Sequence, residues 1–244
     1  DNATAIFVRN THNRGYSAGN NIGARLAVKA DCNAILIVNP DVRLDDPGYL
    51  AGLWQEMRQH PDCAVGASRI LSPKGANENP LRELGFWEEL FWFRQYLPGL
   101  LHPPAYVPQV SGNGPVRVDK LHGCCLMVRA SFLEEIGYLD DTVFLYSEEP
   151  ILAAQVHNAG KRLMLFPRLT VVHAHVASTK GNSSRRMLTY IRSRLYYLSH
   201  YSGYGAGTLT ALRLSYRVLW LLHFVKAQAR TDRSANSKRK DSAS

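Results

Sequence analysis

The sequence predicts an α/β protein whose mixed, mostly parallel sheet is flanked by helices. Residues 5–8 and 33–38 are short apolar runs, as expected for strands that are buried on both faces in a parallel sheet. The stretch between them spaces Ile22, Leu26 and Ala30 as an amphipathic helix does. With 244 residues, of which 45% are hydrophobic and 20% charged, the chain is long enough for one such domain with a full core.

The remaining segments alternate in the same way. They predict helices at 47–60, 130–136 and 149–159, and strands at 64–70, 121–128, 162–166 and 169–172. Residues 72–118 interrupt this pattern, because they hold seven of the twelve prolines together with a cluster of aromatic side chains. Proline cannot donate a backbone hydrogen bond to a sheet, so we expect an irregular insertion that covers a neighbouring site.

The charge of the chain is divided unevenly. Residues 1–179 carry 16 basic and 18 acidic side chains, whereas residues 180–244 carry 13 basic and 2 acidic ones, a net charge of +11. Such a cationic module attracts phosphate as nucleic acid, as lipid headgroups or as a nucleotide diphosphate, and the charge alone does not choose among them.

The cysteines and the chain start indicate an intracellular setting. Four cysteines without a Cys-x-x-Cys spacing predict neither a zinc knuckle nor a disulfide framework. The first residues have neither a basic stretch nor an apolar run, so we expect no signal peptide. The most apolar stretch, 209–225, contains Arg213, Arg217 and His223, so we expect it not to span a membrane.

Two polar motifs follow the predicted strands. Asn39-Pro40-Asp41 comes directly after a buried strand, where open α/β sheets bind ligands, although the same residues also favour a simple turn. The Gly-rich stretch 13–21 precedes a predicted helix, and helix N-termini bind phosphate.

These residues carry a resemblance to a known family. Asn-x-Gly-Tyr-x-x-Gly-Asn-Asn at 13–21 and Ile-Val-Asn-Pro-Asp-Val at 37–42 resemble the inverting family 2 glycosyltransferases with the GT-A fold, closest to the bacterial rhamnosyltransferase-like branch. The likeness continues in the same order through 123–129, 137–149 and 167–173. It implies metal-dependent transfer of rhamnose or a similar sugar from a nucleotide diphosphate to a glycan or polyprenyl-linked acceptor.

The resemblance also implies the site residues. Asp41, Asn39 and His173 would hold Mg²⁺ or Mn²⁺, with His175 a weaker candidate. The residues expected to contact the sugar nucleotide are Asn13, Gly15, Gly19, Asn20, Asn21, Asn39, Asp41, Arg192 and Arg194. The catalytic base would be the second acid of the pair Glu148-Glu149, while the alternative is that two acids at a helix start only favour the helix dipole.

The resemblance divides the chain into three parts. Residues 1–205 would form the GT-A domain, with 72–118 as an acceptor-side insertion, followed by an amphipathic helix at 206–231 and a disordered basic tail at 232–244. Relatives begin with a nucleobase-binding strand that this sequence does not show, so we expect the domain to lack its N-terminal strands.

Partners follow from the basic module. Its apolar and basic side chains favour an anionic membrane surface, on the cytoplasmic face of the cell membrane, over nucleic acid. A homo-oligomer is compatible with the same surface. The rival functions are a catalytically silent glycosyltransferase remnant that acts as a scaffold, a nucleotidyltransferase and, with its interleaved tyrosines, a nucleic-acid binder.

Overall fold

The computed structural model describes residues 5–93, 106–175 and 183–241, and a six-stranded sheet forms its centre. The strands are β1 (Ala34–Val38), β2 (Val42–Arg43), β3 (Cys63–Leu71), β4 (Val116–Val118), β5 (Cys125–Arg129) and β6 (Arg162–His173). Their order is β1-β5-β3-β6-β2, and β4 pairs with the first part of β6. Residues 169–172, predicted as a separate strand, continue β6.

The sheet is mixed, as predicted, but the expectation that most strands run parallel is wrong for the described residues. Only β3 and β6 pair in parallel, whereas the β1–β5, β3–β5, β2–β6 and β4–β6 ladders are antiparallel. Helices that cover both faces of a sheet make its strands apolar whatever their direction, so apolar runs alone do not reveal strand direction.

Seven helices flank the sheet or follow it in the described part of the chain. They are α1 (Tyr16–Lys29), α2 (Tyr49–Arg58), α3 (Phe86–Leu90), α4 (Ala130–Glu135), α5 (Glu148–Asn158), α6 (Ser183–His200) and α7 (Ala206–Asp241). Alternate residues of β6 enter two different cores: Leu163 and Leu165 pack with α4 and α5, whereas Met164 and Phe166 pack with α2. The sheet therefore has an apolar core on each face.

Two predictions near the start of the chain are wrong. Residues 5–8 form no strand, and Ile6 and Phe7 are 77% and 89% exposed, because no neighbouring strand pairs with them in the described residues. Helix α1 buries Ala18 and Ala24, not the predicted face, and leaves Leu26 39% exposed. Small side chains allow this helix to lie close to the sheet, which a count of large apolar residues misses.

The C-terminal helices also differ from the prediction. Helix α7 continues to Asp241, so the tail predicted as disordered from 232 is helical that far, since 208–241 contains neither proline nor glycine to end a helix. Its residues Leu212, Tyr216 and Leu219 pack against α6 in a third core. No helix in the described ranges is long and apolar enough to cross a bilayer.

The described parts of the predicted insertion, 72–93 and 106–118, are mainly irregular and are tied to the C-terminal helices by charged groups. Arg194 of α6 is 4% exposed and forms ion pairs with Glu83 and Glu89, and Lys120 contacts Glu83 at 3.0 Å. Tyr216 of α7 donates a hydrogen bond to Glu89. We call these five residues the buried charge cluster; residues 94–105 of the insertion lie outside the described residues.

Candidate active site

Three hydrogen bonds from backbone amides hold four loops together beside β1, β5 and β6. The amide of Asn39 donates to the carbonyl of Cys124 at 2.8 Å, and the amide of Ala174 donates to the carbonyl of Asp41 at 2.7 Å. The buried side chain of Asn79 accepts from the amide of His122 at 3.0 Å. The segments around 39–41, 78–79, 122–124 and 173–175 are thereby fixed relative to one another.

Acidic and imidazole side chains meet at this point. His173, which is 7% exposed, faces two carboxylates: its Nε2 lies 3.4 Å from Asp41 Oδ2, and its Nδ1 lies 3.0 Å from Glu78 Oε2. His175 Nε2 lies 2.5 Å from Glu78 Oε1, and the ring of His122 lies 5.4 Å from that of His173. We call these five residues the acid–imidazole cluster.

The donor set of His173 and Asp41 fits a divalent cation. Ligands that bind one cation at ~2.1 Å and at right angles to each other lie ~3 Å apart, close to the separation of these two atoms. Glu78 accepts on the opposite side of the ring, as carboxylates do behind metal-binding histidines, which leaves Nε2 as the ligand atom. Burial acts to raise the pKa of Glu78, but hydrogen bonds from His175 and His173 outweigh it and the pKa is lowered.

A second grouping, of His122, Cys124 and His173, also has ligand atoms within 4.8 Å of one another. Two observations disfavour it as a metal site. Burial, aided by Cys125, raises the pKa of the Cys124 thiol, so the sulfur keeps its proton. The amide of Cys124 donates to His122 Nδ1 at 3.1 Å, and a ring that accepts there carries its proton on Nε2.

The pair Glu148-Glu149 lies at the start of α5, on the other side of the 122–124 segment. Glu149 Oε1 accepts a 3.4 Å hydrogen bond from the amide of Gly123. A Cβ on Gly123 would lie 3.4 Å from that oxygen and 3.3 Å from Tyr16 Oη, so a side chain there would crowd the carboxylate. The 122–124 segment thus contacts the predicted base through Gly123 and the loop that carries Asp41 through Cys124.

Glu148 has a different environment. It lines a small internal pocket with Ser17, Leu139 and Gln155, and its Oε2 is buried without a hydrogen-bond partner. Burial, followed by the charge of Glu149, raises the pKa of Glu148 to about 8. Glu148 therefore holds a proton at neutral pH, and Glu149 is the acid that faces the cluster.

An unusual backbone presents this pair. Tyr146 and Ser147 both have positive φ, at 69° and 61°, and such strain costs ~1–3 kcal/mol per residue and persists only where the surrounding structure holds it. The start of α1 holds this loop from one side: the amide of Tyr16 donates to Phe144 O at 3.0 Å, and a Cβ on Gly15 would lie only 2.1 Å from that oxygen. Glycine at position 15, with φ of 102°, permits this contact.

The Asn-x-Gly segment was predicted to precede a helix, but most of it is part of that helix, because α1 begins at Tyr16. Gly19, Asn20 and Asn21 are inside α1, and the Asn21 amide exchanges hydrogen bonds of 2.8 and 3.1 Å with the backbone of Leu139. Asn13 accepts from the amide of Gly15 at 3.0 Å. The contacts of Asn13, Gly15 and Asn21 stabilise the loops beside Glu149.

The two arginines that were expected near the sugar nucleotide differ in their exposure to solvent. Arg194 is held by Glu83 and Glu89 in the buried charge cluster, so its guanidinium is already paired. Burial acts to lower the pKa of Arg194, but both carboxylates raise it. Arg192 is exposed on the opposite side of α6. Residues two apart on a helix face different directions, so Arg192 and Arg194 do not share one site. The sequence could not reveal the contacts of Arg194, because Glu83 and Glu89 lie far from it in the chain.

Sequence reasoning missed Glu78, His122 and Tyr16. Glu78 lies in the irregular insertion, and its contact with His173 at the end of β6 depends on the fold. His122 directly precedes the Gly-Cys-Cys motif, which is part of the resemblance to glycosyltransferases. A histidine next to such a motif could have been predicted to belong to the site. Tyr16 Oη donates to Gly123 O at 2.5 Å, and burial, followed by the charge of Glu149, raises the pKa of this tyrosine.

Known proteins resemble this chain in sequence over part of its length. A low-salt glycan biosynthesis hexosyltransferase from Haloferax volcanii is 31% identical over 146 residues, which are 59% of this chain and 43% of that protein. An N-acetylglucosaminyl-diphospho-decaprenol L-rhamnosyltransferase from Mycobacterium tuberculosis is 24% identical over 189 residues, 72% of this chain and 58% of that protein. The chain spans about half the length of the curated relatives it matches. No family profile matches it.

A solved structure identifies the fold. GalNAc-T7, crystallised with UDP, GalNAc and Mn²⁺, superposes with a TM-score of 0.53 at 14% identity, over 79% of this chain and 36% of that one. The chain has a GT-A fold. The fold prediction is therefore confirmed, and distant homologues of the chain include a hexosyltransferase and a rhamnosyltransferase.

Proposed function

We propose that this protein is a metal-dependent, inverting glycosyltransferase that uses a nucleotide-diphosphate sugar. One observation carries the proposal: the 122–124 segment joins Glu149 to the Asp41–His173 pair, so an acid and a cation-binding pair lie side by side. The matched hexosyltransferase and rhamnosyltransferase support the reaction class. The GT-A fold of GalNAc-T7, solved with UDP and Mn²⁺, supports the type of donor.

The proposed reaction is a single displacement. An acceptor hydroxyl oxygen forms a bond to the anomeric carbon of the sugar while the bond from that carbon to the diphosphate oxygen breaks. Glu149 takes the hydroxyl proton, and the electron pair of the broken bond leaves with the diphosphate. Attack opposite the leaving group inverts the anomeric carbon.

Asp41 and His173 would hold the cation, with Asn39 beside them on the loop after β1. When bound, the cation offsets the charge that gathers on the leaving diphosphate. Glu78 orients His173 by accepting from its Nδ1, and the ladder of β2 with β6 places Val42 opposite His173, which sets the position of Asp41. These contacts prearrange the two ligands.

For the substrates, we propose rhamnose or a similar hexose as the transferred sugar and a glycan or polyprenyl-linked acceptor, in the synthesis of a cell-surface polysaccharide. The name of the mycobacterial relative, which describes a decaprenol-linked acceptor, supports this class. The insertion 72–118 would supply acceptor contacts. On its α3 helix, Trp87 is 61% exposed and stacks on Phe91, and exposed aromatic faces suit sugar rings.

We also propose that the enzyme lies on an anionic membrane surface through α7, which would place it on the cytoplasmic face of the membrane. The domain covers only one side of this helix. Leu214, Val218, Leu221 and Leu222 remain 52–56% exposed. Residues 225–244 add six basic and two acidic side chains, and a membrane with acidic headgroups matches an apolar helix face beside basic residues. The tyrosines of α6 support this over nucleic-acid binding, since Tyr196 donates to Asp140 and Tyr197 is buried.

A nucleotide-sugar panel tests the central proposal. The protein is incubated with Mn²⁺ and UDP-, GDP- or dTDP-linked sugars, and released nucleotide diphosphate is measured with and without EDTA. We expect metal-dependent hydrolysis of at least one donor, which Asp41→Ala abolishes, because one ligand of the cation is lost.

Asp45→Ala is the matched control. Asp45 lies on the next loop, after β2, and pairs with the exposed Arg43 at 2.8 Å, so this variant should keep the wild-type rate. Absence of turnover with every donor, or an unchanged response to Mn²⁺ in Asp41→Ala, would contradict the proposal and favour a catalytically silent scaffold.

A further inference from the structure

His122 is the member of the acid–imidazole cluster that cation binding leaves without a role. Its ring lies 5.4 Å from the ring of His173, and the next residue, Gly123, donates from its amide to Glu149. It is therefore placed between the proposed base and the proposed cation ligands. Its backbone amide is fixed by the buried Asn79, so the position does not depend on a flexible loop.

The hydrogen bond of the ring determines which nitrogen carries the proton. The backbone amide of Cys124 points at His122 Nδ1 from 3.1 Å. An amide N–H can only donate, so Nδ1 presents its lone pair and the neutral ring carries its hydrogen on Nε2. Because the Cys124 amide occupies Nδ1, the ring could bind a cation only through Nε2, which would need the opposite arrangement. His122 is consequently a hydrogen-bond donor towards its surroundings.

The Nε2–H group of His122 is also available. In the part of the chain that the structure describes, the only hydrogen bond of this side chain is the one at Nδ1. The buried side-chain polar atoms without a partner are those of Ser147 and Glu148, so Nε2 of His122 is not sealed away from solvent. By contrast, His173 Nδ1 and His175 Nε2 both bond to Glu78.

A free N–H beside a cation-binding pair suits an oxygen anion. Asp41 and Glu149 are acceptors and would repel a phosphate, so an anion enters this site only with the cation, and a donor next to the cation then finds a charged oxygen. We propose that His122 contacts the substrate, donating from Nε2–H to a diphosphate oxygen of the sugar nucleotide, and that the Cys124 amide fixes this tautomer. The inference rests on the proposed function and names a further binding residue for it.

Two substitutions by residues with side-chain amides test the roles of the two ring nitrogens separately. The side-chain amide of glutamine in His122→Gln reaches the position of Nε2 and restores a donor there. The shorter amide in His122→Asn reaches only the position of Nδ1, so it keeps an acceptor for the Cys124 amide and leaves Nε2 without a replacement. His157→Asn, at the exposed end of α5, is the matched control.

The probe is inorganic pyrophosphate with saturating Mn²⁺, measured by calorimetry, because it reports on the diphosphate whatever the nucleobase. We expect His122→Asn to weaken pyrophosphate binding by ~10-fold or more, as loss of a bond to a charged group does, and His122→Gln to recover most of that loss. Binding of Mn²⁺ alone, followed by electron paramagnetic resonance, should stay within ~2-fold of wild type in both variants, since neither removes a cation ligand.

Three outcomes overturn the inference. Equal losses in His122→Asn and His122→Gln, with melting temperatures like that of wild type, would remove the donor role of Nε2. Weaker binding of Mn²⁺ alone in His122→Asn would make His122 a ligand. Wild-type protein that does not bind pyrophosphate at millimolar concentration would also contradict it. A wild type that binds pyrophosphate with the predicted contrast, yet turns over no donor, would contradict the proposed function and leave this inference standing.

Discussion

The two adjacent acids at the start of α5 differ because their surroundings differ. Glu149 faces Gly123 and the acid–imidazole cluster, whereas Glu148 faces an internal pocket. We expect Glu149→Gln to lower turnover by ~10²–10⁴-fold, the usual contribution of a positioned base, with pyrophosphate binding unchanged. Glu148→Gln keeps the uncharged shape that Glu148 already has at pH 7 and should lose much less. The reverse ranking in donor-hydrolysis rates would move the base to Glu148.

Glu148 also predicts how stability depends on pH. Its pKa is raised to about 8 by burial and by Glu149, so between the unfolded pKa of ~4.3 and about 8 the folded state binds more protons than the unfolded state. The free energy of unfolding should therefore fall as pH rises through this window. Glu148→Gln should unfold at a similar temperature at pH 5 but higher than wild type at pH 9, by ~2–4 °C for each 1 kcal/mol gained.

Thermal melts of both proteins across this range measure the effect. Asp45→Asn is the control, because its exposed carboxylate pairs with Arg43 and the pKa of Asp45 is lowered by that hydrogen bond. A difference between Glu148→Gln and wild type that is the same at pH 5 and pH 9 would contradict the assignment.

Among the elements, α6 has two tasks that depend on one another. Ser193 donates to Leu145 O at 2.7 Å and so holds the loop before Glu148, while Arg194 joins α6 to the insertion. Arg194→Met would leave the 1%-exposed Glu89 without its cation, while Glu83 would keep only Lys120. Breaking a buried ion pair on one side costs ~3–5 kcal/mol, so urea unfolding should show a loss of that size.

The exposed pair Arg43–Asp45 provides the comparison for this prediction. Arg43 and Asp45 are both 63% exposed, and water screens such a pair, so Arg43→Met should change the unfolding free energy little. Equal losses in Arg43→Met and Arg194→Met would show that the buried charge cluster does not hold α6 in place.

For the molecule as a whole, the excess of basic residues at 180–244 predicts that this part of the protein faces an acidic membrane. We expect the protein to float with vesicles that contain acidic lipids at low salt and not with neutral ones, because basic residues near an anionic surface contribute ~1 kcal/mol each. Replacing Leu214, Val218 and Leu221 together by serine should reduce flotation, since these exposed side chains supply the apolar contact.

The same number of exposed apolar side chains can be changed elsewhere as a control. Leu26, Leu44 and Leu50 are 39%, 38% and 50% exposed and lie outside α7, so their triple serine variant should float like wild type. Equal binding to acidic and neutral vesicles, or none at low salt, would contradict the membrane proposal.

The sequence by itself determined most elements and two halves of the candidate site. Apolar runs revealed β1, β3, β5 and β6, and the resemblance to glycosyltransferases predicted a GT-A fold that the structure bears out. Asp41 was predicted from its place after a buried strand, where open α/β sheets bind ligands, and the resemblance to glycosyltransferases implied the roles of His173 and Glu149.

Only the tertiary structure decided strand direction, the partners of each charge and the tautomer of His122. Antiparallel ladders, the pairing of Arg194 with Glu83 and Glu89, and the contact of Glu78 with His173 join residues that are far apart in the chain. A segment cannot specify such contacts alone, because the energy of a buried charge or a ring nitrogen depends on the groups that the whole fold places around it.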